Sequence, residues 1–270
     1  MTLWVIGDSF SVDSNIISSE PVYWQWHRIL TNKLQIKNTT VIAEFGVSNE
    51  WILMNLTAIL NEAKENDIII AQTTEPHRYW FLSDHPWYSN IQGMLDKDKT
   101  FNGIISKKEA TAIELYYKHI QNDEKDKLRL DSYYALLNEF NKLFAEKNVQ
   151  LYTLPGFNMP HYFPILGYKV KGTLNHVSVA EFTSEKEGED WFVKKQEPDR
   201  RLNHMTKENH EIFADKLYET IKYKKDLDFT KGFKQKFLNL STEYLFKNQL
   251  NPTPIGKISA GGTGMQHRNN

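Results

Sequence analysis

Three short runs of apolar, largely β-branched residues fall within the first 75 positions, and a helical pattern separates each from the next. They are Leu3-Trp4-Val5-Ile6, Thr40-Val41-Ile42-Ala43-Glu44-Phe45 and Asp67-Ile68-Ile69-Ile70-Ala71-Gln72. Residues that stay apolar at successive positions must be buried on both faces, the condition of an interior strand in a parallel sheet. Between the first two runs, Pro21 opens a pattern carrying Val22, Trp26, Ile29, Leu30 and Lys33 or Leu34. Between the second and third, Ser48 or Asn49 can cap a helix through Trp51, Leu53, Leu56, Ile59 and Leu60 to about Glu65. The order is βαβαβ, and its crossovers are expected to be right-handed.

Further along, Ser106 with Glu109 forms a capping box for a helix to about Asn122. A polar turn, 122–127, leads to a helix whose apolar face holds Tyr133, Leu136, Leu137, Phe140, Leu143 and Phe144. Val149 to Leu154 reads as a fourth strand, stopped by Pro155-Gly156. Residues 156–200 show little periodicity, which predicts a lid or small subdomain. Thr206 caps a helix with Ile212, Phe213, Leu217 and Ile221. Thr230 is expected to cap one more amphipathic helix through Phe233, Phe237, Leu240, Tyr244 and Leu245. The stretch from Asn251 is rich in Pro, Gly and polar residues and reads as an extended tail.

The first strand runs directly into Gly7-Asp8-Ser9-Phe10-Ser11. In open α/β sheets, chemistry collects just past the carboxyl ends of the strands. Ser9 is delivered there and is the candidate nucleophile, although Gly-Asp-Ser also suits a plain strand-ending turn. A strand followed by these residues resembles the first block of the SGNH/GDSL hydrolases, a superfamily of esterases, lipases and carbohydrate deacetylases. Phe45-Gly46-Val47-Ser48-Asn49 is similar to that family's second block, whose glycine N–H helps to hold an oxyanion. Asn203-His204-Met205-Thr206 resembles its last block, where the catalytic histidine stands just ahead of a helix.

The resemblance implies a flavodoxin-like, three-layer α/β/α sandwich with a mainly parallel sheet over residues 1–222, carrying a lid-like insertion at about 156–200. A helical extension (223–250) and the tail (251–270) follow. It implies Ser9 as nucleophile and His204 as base, with the N–H groups of Ser9 and Gly46 as oxyanion donors. Two departures stand out. Where the family usually places an aspartate three residues before its histidine, this chain has Arg201; Asp199 is the candidate to orient His204, and Glu197 the weaker one. The third block, normally a glycine and an asparagine, is replaced by Gln72-Thr73-Thr74-Glu75-Pro76-His77-Arg78. Thr74, Arg78 or Asn49 would then supply the missing donor, and losing one such donor costs about 10²–10³ in rate. The aromatic segment from Arg78 to Tyr88 either walls a substrate cleft or packs into the core. Asp8, Arg78 and Trp80 are the candidate substrate contacts.

Composition narrows the partners. A net charge of −1 over 270 residues gives no pull toward nucleic acid or anionic membrane. No apolar run approaches the roughly 20 residues of a membrane span, and no basic segment leads into an apolar one as in a secretory signal. A cytoplasmic or virion-associated location is the expectation. With no cysteine, disulfides and thiolate chemistry drop out. The histidines show no metal spacing, and Gly261-Gly262-Thr263-Gly264 lacks the helix a phosphate loop requires, so neither metal nor cofactor is expected. Two functions remain: a serine esterase acting on O-acyl groups, acetyl esters of a carbohydrate before long lipids, or a degenerate hydrolase fold serving as a binding or structural component, for instance of a viral particle, docking through the tail.

Overall fold

The computed structural model describes residues 1–12, 24–75, 78–81, 106–156, 169–177 and 204–234. Four strands form one parallel sheet: β1 (Thr2–Gly7), β2 (Asn38–Ala43), β3 (Ile68–Thr73) and β4 (Gln150–Pro155), in the order β2-β1-β3-β4. The register aligns Val5 with Val41 on one side and with Ile70 on the other, and Ile70 with Tyr152. All six residues of β3 are buried, whereas the edge strand β2 is half-exposed. That contrast explains why the third run is the most continuously apolar.

Five helices accompany the sheet among the described residues: α1 (Trp26–Lys33), α2 (Asn49–Glu62), α3 (Lys107–His119), α4 (Asp123–Glu146) and α5 (Lys207–Tyr223). Side chains alternate across each strand, so Leu3, Val5, Ile68, Ile70, Tyr152 and Leu154 meet Trp26 and Leu30 of α1 and Phe213 and Leu217 of α5. The opposite face, with Ile6, Ile69, Ala71 and Leu151, meets Ile52, Leu56 and Ile59 of α2 and Tyr133, Leu137 and Phe144 of α4. Helices cover both faces of a parallel sheet: the fold is α/β. From β1 the chain steps outward to β2, then crosses to β3 on the other side. The gap between β1 and β3 is therefore the switch point of the sheet, where such folds place their sites.

Several expectations shift. The capping box is present, with Glu109 N–H donating to Ser106 Oγ and Ser106 N–H to the Glu109 carboxylate. The polar turn at 122–127 is instead the first turn of α4, because Asn122 caps it by accepting from Lys125 N–H at 2.9 Å. Leu136 and Leu143 lie on the exposed side of α4, so its buried face is narrower than its apolar one. Within the expected lid, residues 169–177 hold a short strand β5 (Val170–Lys171) and a 3₁₀ turn whose Leu174 and Val177 are in the core.

The helical extension expected from 223 needs correction over 224–234. There the chain forms β6 (Leu227–Asp228), paired with β5, and inserts Phe229 into the core beside Phe213. Thr230 is not a helix cap: its N–H and hydroxyl both donate to Asp228 Oδ1. The rest of that extension and the tail, 251–270, lie outside the described residues.

Candidate active site

Ser9 stands in a tight turn. Ser11 N–H donates to Asp8 O at 2.9 Å, and Asp8 Oδ1 accepts from Phe10 N–H at 3.1 Å. The strand end is thereby closed around Ser9, which remains partly exposed while Asp8, Phe10 and Ser11 are buried.

Beneath the turn lies a polar network. Gln72, at the end of β3, accepts from the Ser11 hydroxyl at 2.6 Å and donates through Nε2 to Asp8 Oδ1. Its side chain occupies a slot bounded by two glycines. A Cβ on Gly7 would come 2.7 Å from Gln72 Oε1, and one on Gly156 would come 2.2 Å from the Thr73 carbonyl. The Thr74 hydroxyl donates to Asp8 Oδ2 at 2.9 Å and accepts from the Arg78 guanidinium, which also reaches Asp8 Oδ2 at 3.1 Å. Arg78 Nε donates to Glu75 Oε2 at 3.2 Å. Burial alone would favour losing the guanidinium charge, but the Glu75 and Asp8 carboxylates outweigh it and hold the proton more firmly than usual. An ionised carboxylate in the interior is tolerated only with such donors and such a cation.

The second shelf of the site begins at Gly46, whose φ of 66° is a left-handed conformation that favours glycine. Ser48 then caps α2, accepting from Trp51 N–H. Asn49 clasps the end of β3 in both directions, donating to Thr74 O at 3.2 Å and accepting from Thr74 N–H at 2.9 Å. On the same edge, burial raises the Glu44 carboxyl above its ordinary value, against a hydrogen bond from Phe45 N–H that lowers it.

His204 precedes α5, which Thr206 caps by accepting from Asn209 N–H. Its ring lies against Phe10, with centroids 5.0 Å apart, so the imidazole is brought beside the residue next to Ser9. His210 is structural: Trp26 N–H donates to its Nδ1, and Trp24 packs edge-on against its ring.

The candidate residues therefore divide. Ser9, Asn49, Thr74, Asp8 and Arg78 come together at the β1–β3 switch point, where the ring of His204 packs on Phe10, while Gly46 turns the chain between β2 and α2. Asp8 and Arg78 are buried beneath the turn and brace it. Both the N–H and the hydroxyl of Thr74 are engaged inside the protein. Trp80 is half-buried, and its chain neighbours Tyr79 and Phe81 pack with Tyr116 and Tyr117. Asp199, Glu197 and Arg201 lie outside the described residues. Sequence reading missed Gln72, Ser11 and Gly156, although a glutamine ending an isoleucine strand was a visible signal. Among the described residues, no three His, Asp or Glu side chains group to hold a metal, and no helix is long and apolar enough to cross a membrane.

No protein-family model and no curated protein sequence matches this chain. Among solved structures it is similar to YxiM of Bacillus subtilis, with 13% identity and a TM-score of 0.29, over 79% of this chain and 46% of that one. It is also similar to a member of the lipolytic protein G-D-S-L family from Veillonella parvula, with 16% identity and a TM-score of 0.21, over 56% of this chain and 76% of that one. The chain spans less than half the length of YxiM.

Proposed function

We propose that this protein is a serine ester hydrolase of GDSL type that removes small O-acyl groups, acetyl in the first place, from a carbohydrate or similar alcohol. Ser9 Oγ attacks the acyl carbonyl while the His204 imidazole takes its proton. The same proton is returned to the departing alkoxide, leaving an acyl-serine. A water, deprotonated by His204, then releases the acid and restores Ser9. The N–H groups of Ser9 and Gly46 receive the oxyanion, and Asn49 Nδ2 carries a second hydrogen that can join them. With its own donors engaged, Thr74 braces Asp8, as Arg78 does. Asp199 is assigned the orientation of His204, and Trp80 a wall of the alcohol site.

One observation carries this reading: a serine held in a buttressed turn at the switch point, with the imidazole of His204 packed on its neighbour Phe10. A fluorophosphonate probe tests it. Wild type should be labelled, Ser9→Ala should not be, and His204→Gln should be labelled far more slowly. Folded wild type that resists the probe overturns the proposal. The engagement of Thr74, at the place of the family's third donor, favours a second reading as a non-catalytic binding or structural component. Its mark would be absence of labelling together with assembly that requires residues 251–270.

A further inference from the structure

Arg129 of α4 sits outside the network around Ser9, yet its guanidinium ties α4 to two other elements. It donates through Nη1 to Glu50 Oε1 in the first turn of α2 at 2.9 Å and to the backbone carbonyl of Arg78 at 3.1 Å. Its charged carbon stands 3.5 Å from the centroid of the Tyr79 ring, while the Tyr79 hydroxyl donates to Asp126, one turn earlier on α4. Asp126 also faces Arg129 at 3.9 Å. The two residues that Arg129 grips are the ones that matter for the turn. Glu50 adjoins Asn49, which clasps Thr74 in both directions, and Arg78 sends its guanidinium inward to Asp8.

We infer that Arg129 is a positioning residue for the Ser9 turn: by fixing the Arg78 backbone against α2 and α4, it sets the reach of the Arg78 guanidinium to Asp8 and so the placement of Ser9. Segments that leave a strand have no ladder to hold them, and the 78–81 segment is anchored from the side instead. Both bonds leave from Nη1 of a planar group laid on the Tyr79 ring, so their directions are fixed by the stack, whereas an ammonium, a point charge on a flexible stem, would leave them unfixed. Displacing a reacting group by about 1 Å is enough to cost about a hundredfold in rate.

The inference builds on the proposed serine chemistry for its kinetic readout, and a second readout is independent of it. In Arg129→Ala the rate of fluorophosphonate labelling at Ser9 should fall about tenfold to a hundredfold. Arg129→Lys, which keeps the charge and loses the fork, should recover only part of it. Leu137→Ala, a core truncation on the same helix, should lower the melting temperature as much or more and leave the labelling rate unchanged. Independently, the Phe10 and Ser11 amides should exchange faster in Arg129→Ala than in Leu137→Ala at matched global stability. Wild-type-like labelling in the lysine variant, or unchanged exchange at both amides in the alanine variant, overturns the inference. Should wild type itself resist the probe, the hydrolase reading fails and amide exchange alone decides the role of Arg129.

Discussion

Two buried aspartates mark opposite ends of the central strand pair, and they are satisfied in different ways. At the N-terminal end, Asp67 accepts from Thr2 N–H at 2.6 Å, Lys64 N–H at 3.1 Å and the Trp4 indole at 3.1 Å. Two of these three donors are backbone groups: Lys64 N–H is placed by the local turn before β3, and Thr2 N–H by the pairing of β1 with β3. At the C-terminal end, Asp8 takes one backbone N–H and three side-chain donors, one of them a buried guanidinium. Each of those side chains must be placed by its own packing: Gln72 between two glycines, Thr74 by Asn49, Arg78 by Glu75 and Arg129. The difference teaches that one carboxylate staples the sheet, while the other is built to hold a turn in place.

The sharpest way to break this comparison is Arg78→Met. It leaves Asp8 and Glu75 without their shared cation and should cost about 3–5 kcal/mol in urea denaturation, with labelling of Ser9 strongly slowed. Asp67→Asn should cost less, about 1.5–3 kcal/mol, and leave the labelling rate of the folded protein unchanged. If both substitutions slow labelling alike, the two ends are not functionally distinct.

Acid sharpens the contrast further. Burial of Asp67 opposes ionisation, but bonds from Lys64 N–H, the Trp4 indole and Thr2 N–H prevail and hold its carboxyl below the ordinary value. A depressed folded pKa stabilises fully above the unfolded value of about 3.9, and that stabilisation is lost as pH falls through the folded value. The stability gap between wild type and Asp67→Asn should therefore be flat from about pH 5 to 8 and close below about pH 4, as denaturation at stepped pH will show. Gly156→Ala forces a Cβ against the Thr73 carbonyl beside Gln72 and should cost about 1–3 kcal/mol. The smallest effect is expected of Trp4→Phe, which removes one donor from Asp67: about 1 kcal/mol by the same measurement.

Ser9, Gly46 and His204 stand out as candidates in the sequence because they sit next to element boundaries, and boundaries carry local chemistry; their roles belong to the proposed function. Asp8 and Arg78 were noticed for the wrong reason. A charged residue near a candidate nucleophile reads as a substrate contact, and only burial reveals it as a brace. Gln72, Gly156 and Arg129 were missed because their roles depend on residues far away along the chain, as far apart as Ser11 from Gln72 and Glu50 from Arg129, and no spacing rule reaches so far.

The amino-acid sequence by itself determined the alternation of strands and helices, the cap at Ser106 and the turn at Ser9. Each of these follows from side-chain periodicity or from backbone groups that neighbouring residues must satisfy. Tertiary structure alone decided that Leu136 and Leu143 face outward, that Phe229 returns to the core, and that β1 and β3 lie side by side. From that adjacency comes the meeting of Asp8 with Gln72, Thr74 and Arg78. The reason is physical: a buried charge is stable only where distant donors converge on it, and convergence is a property of the packed chain.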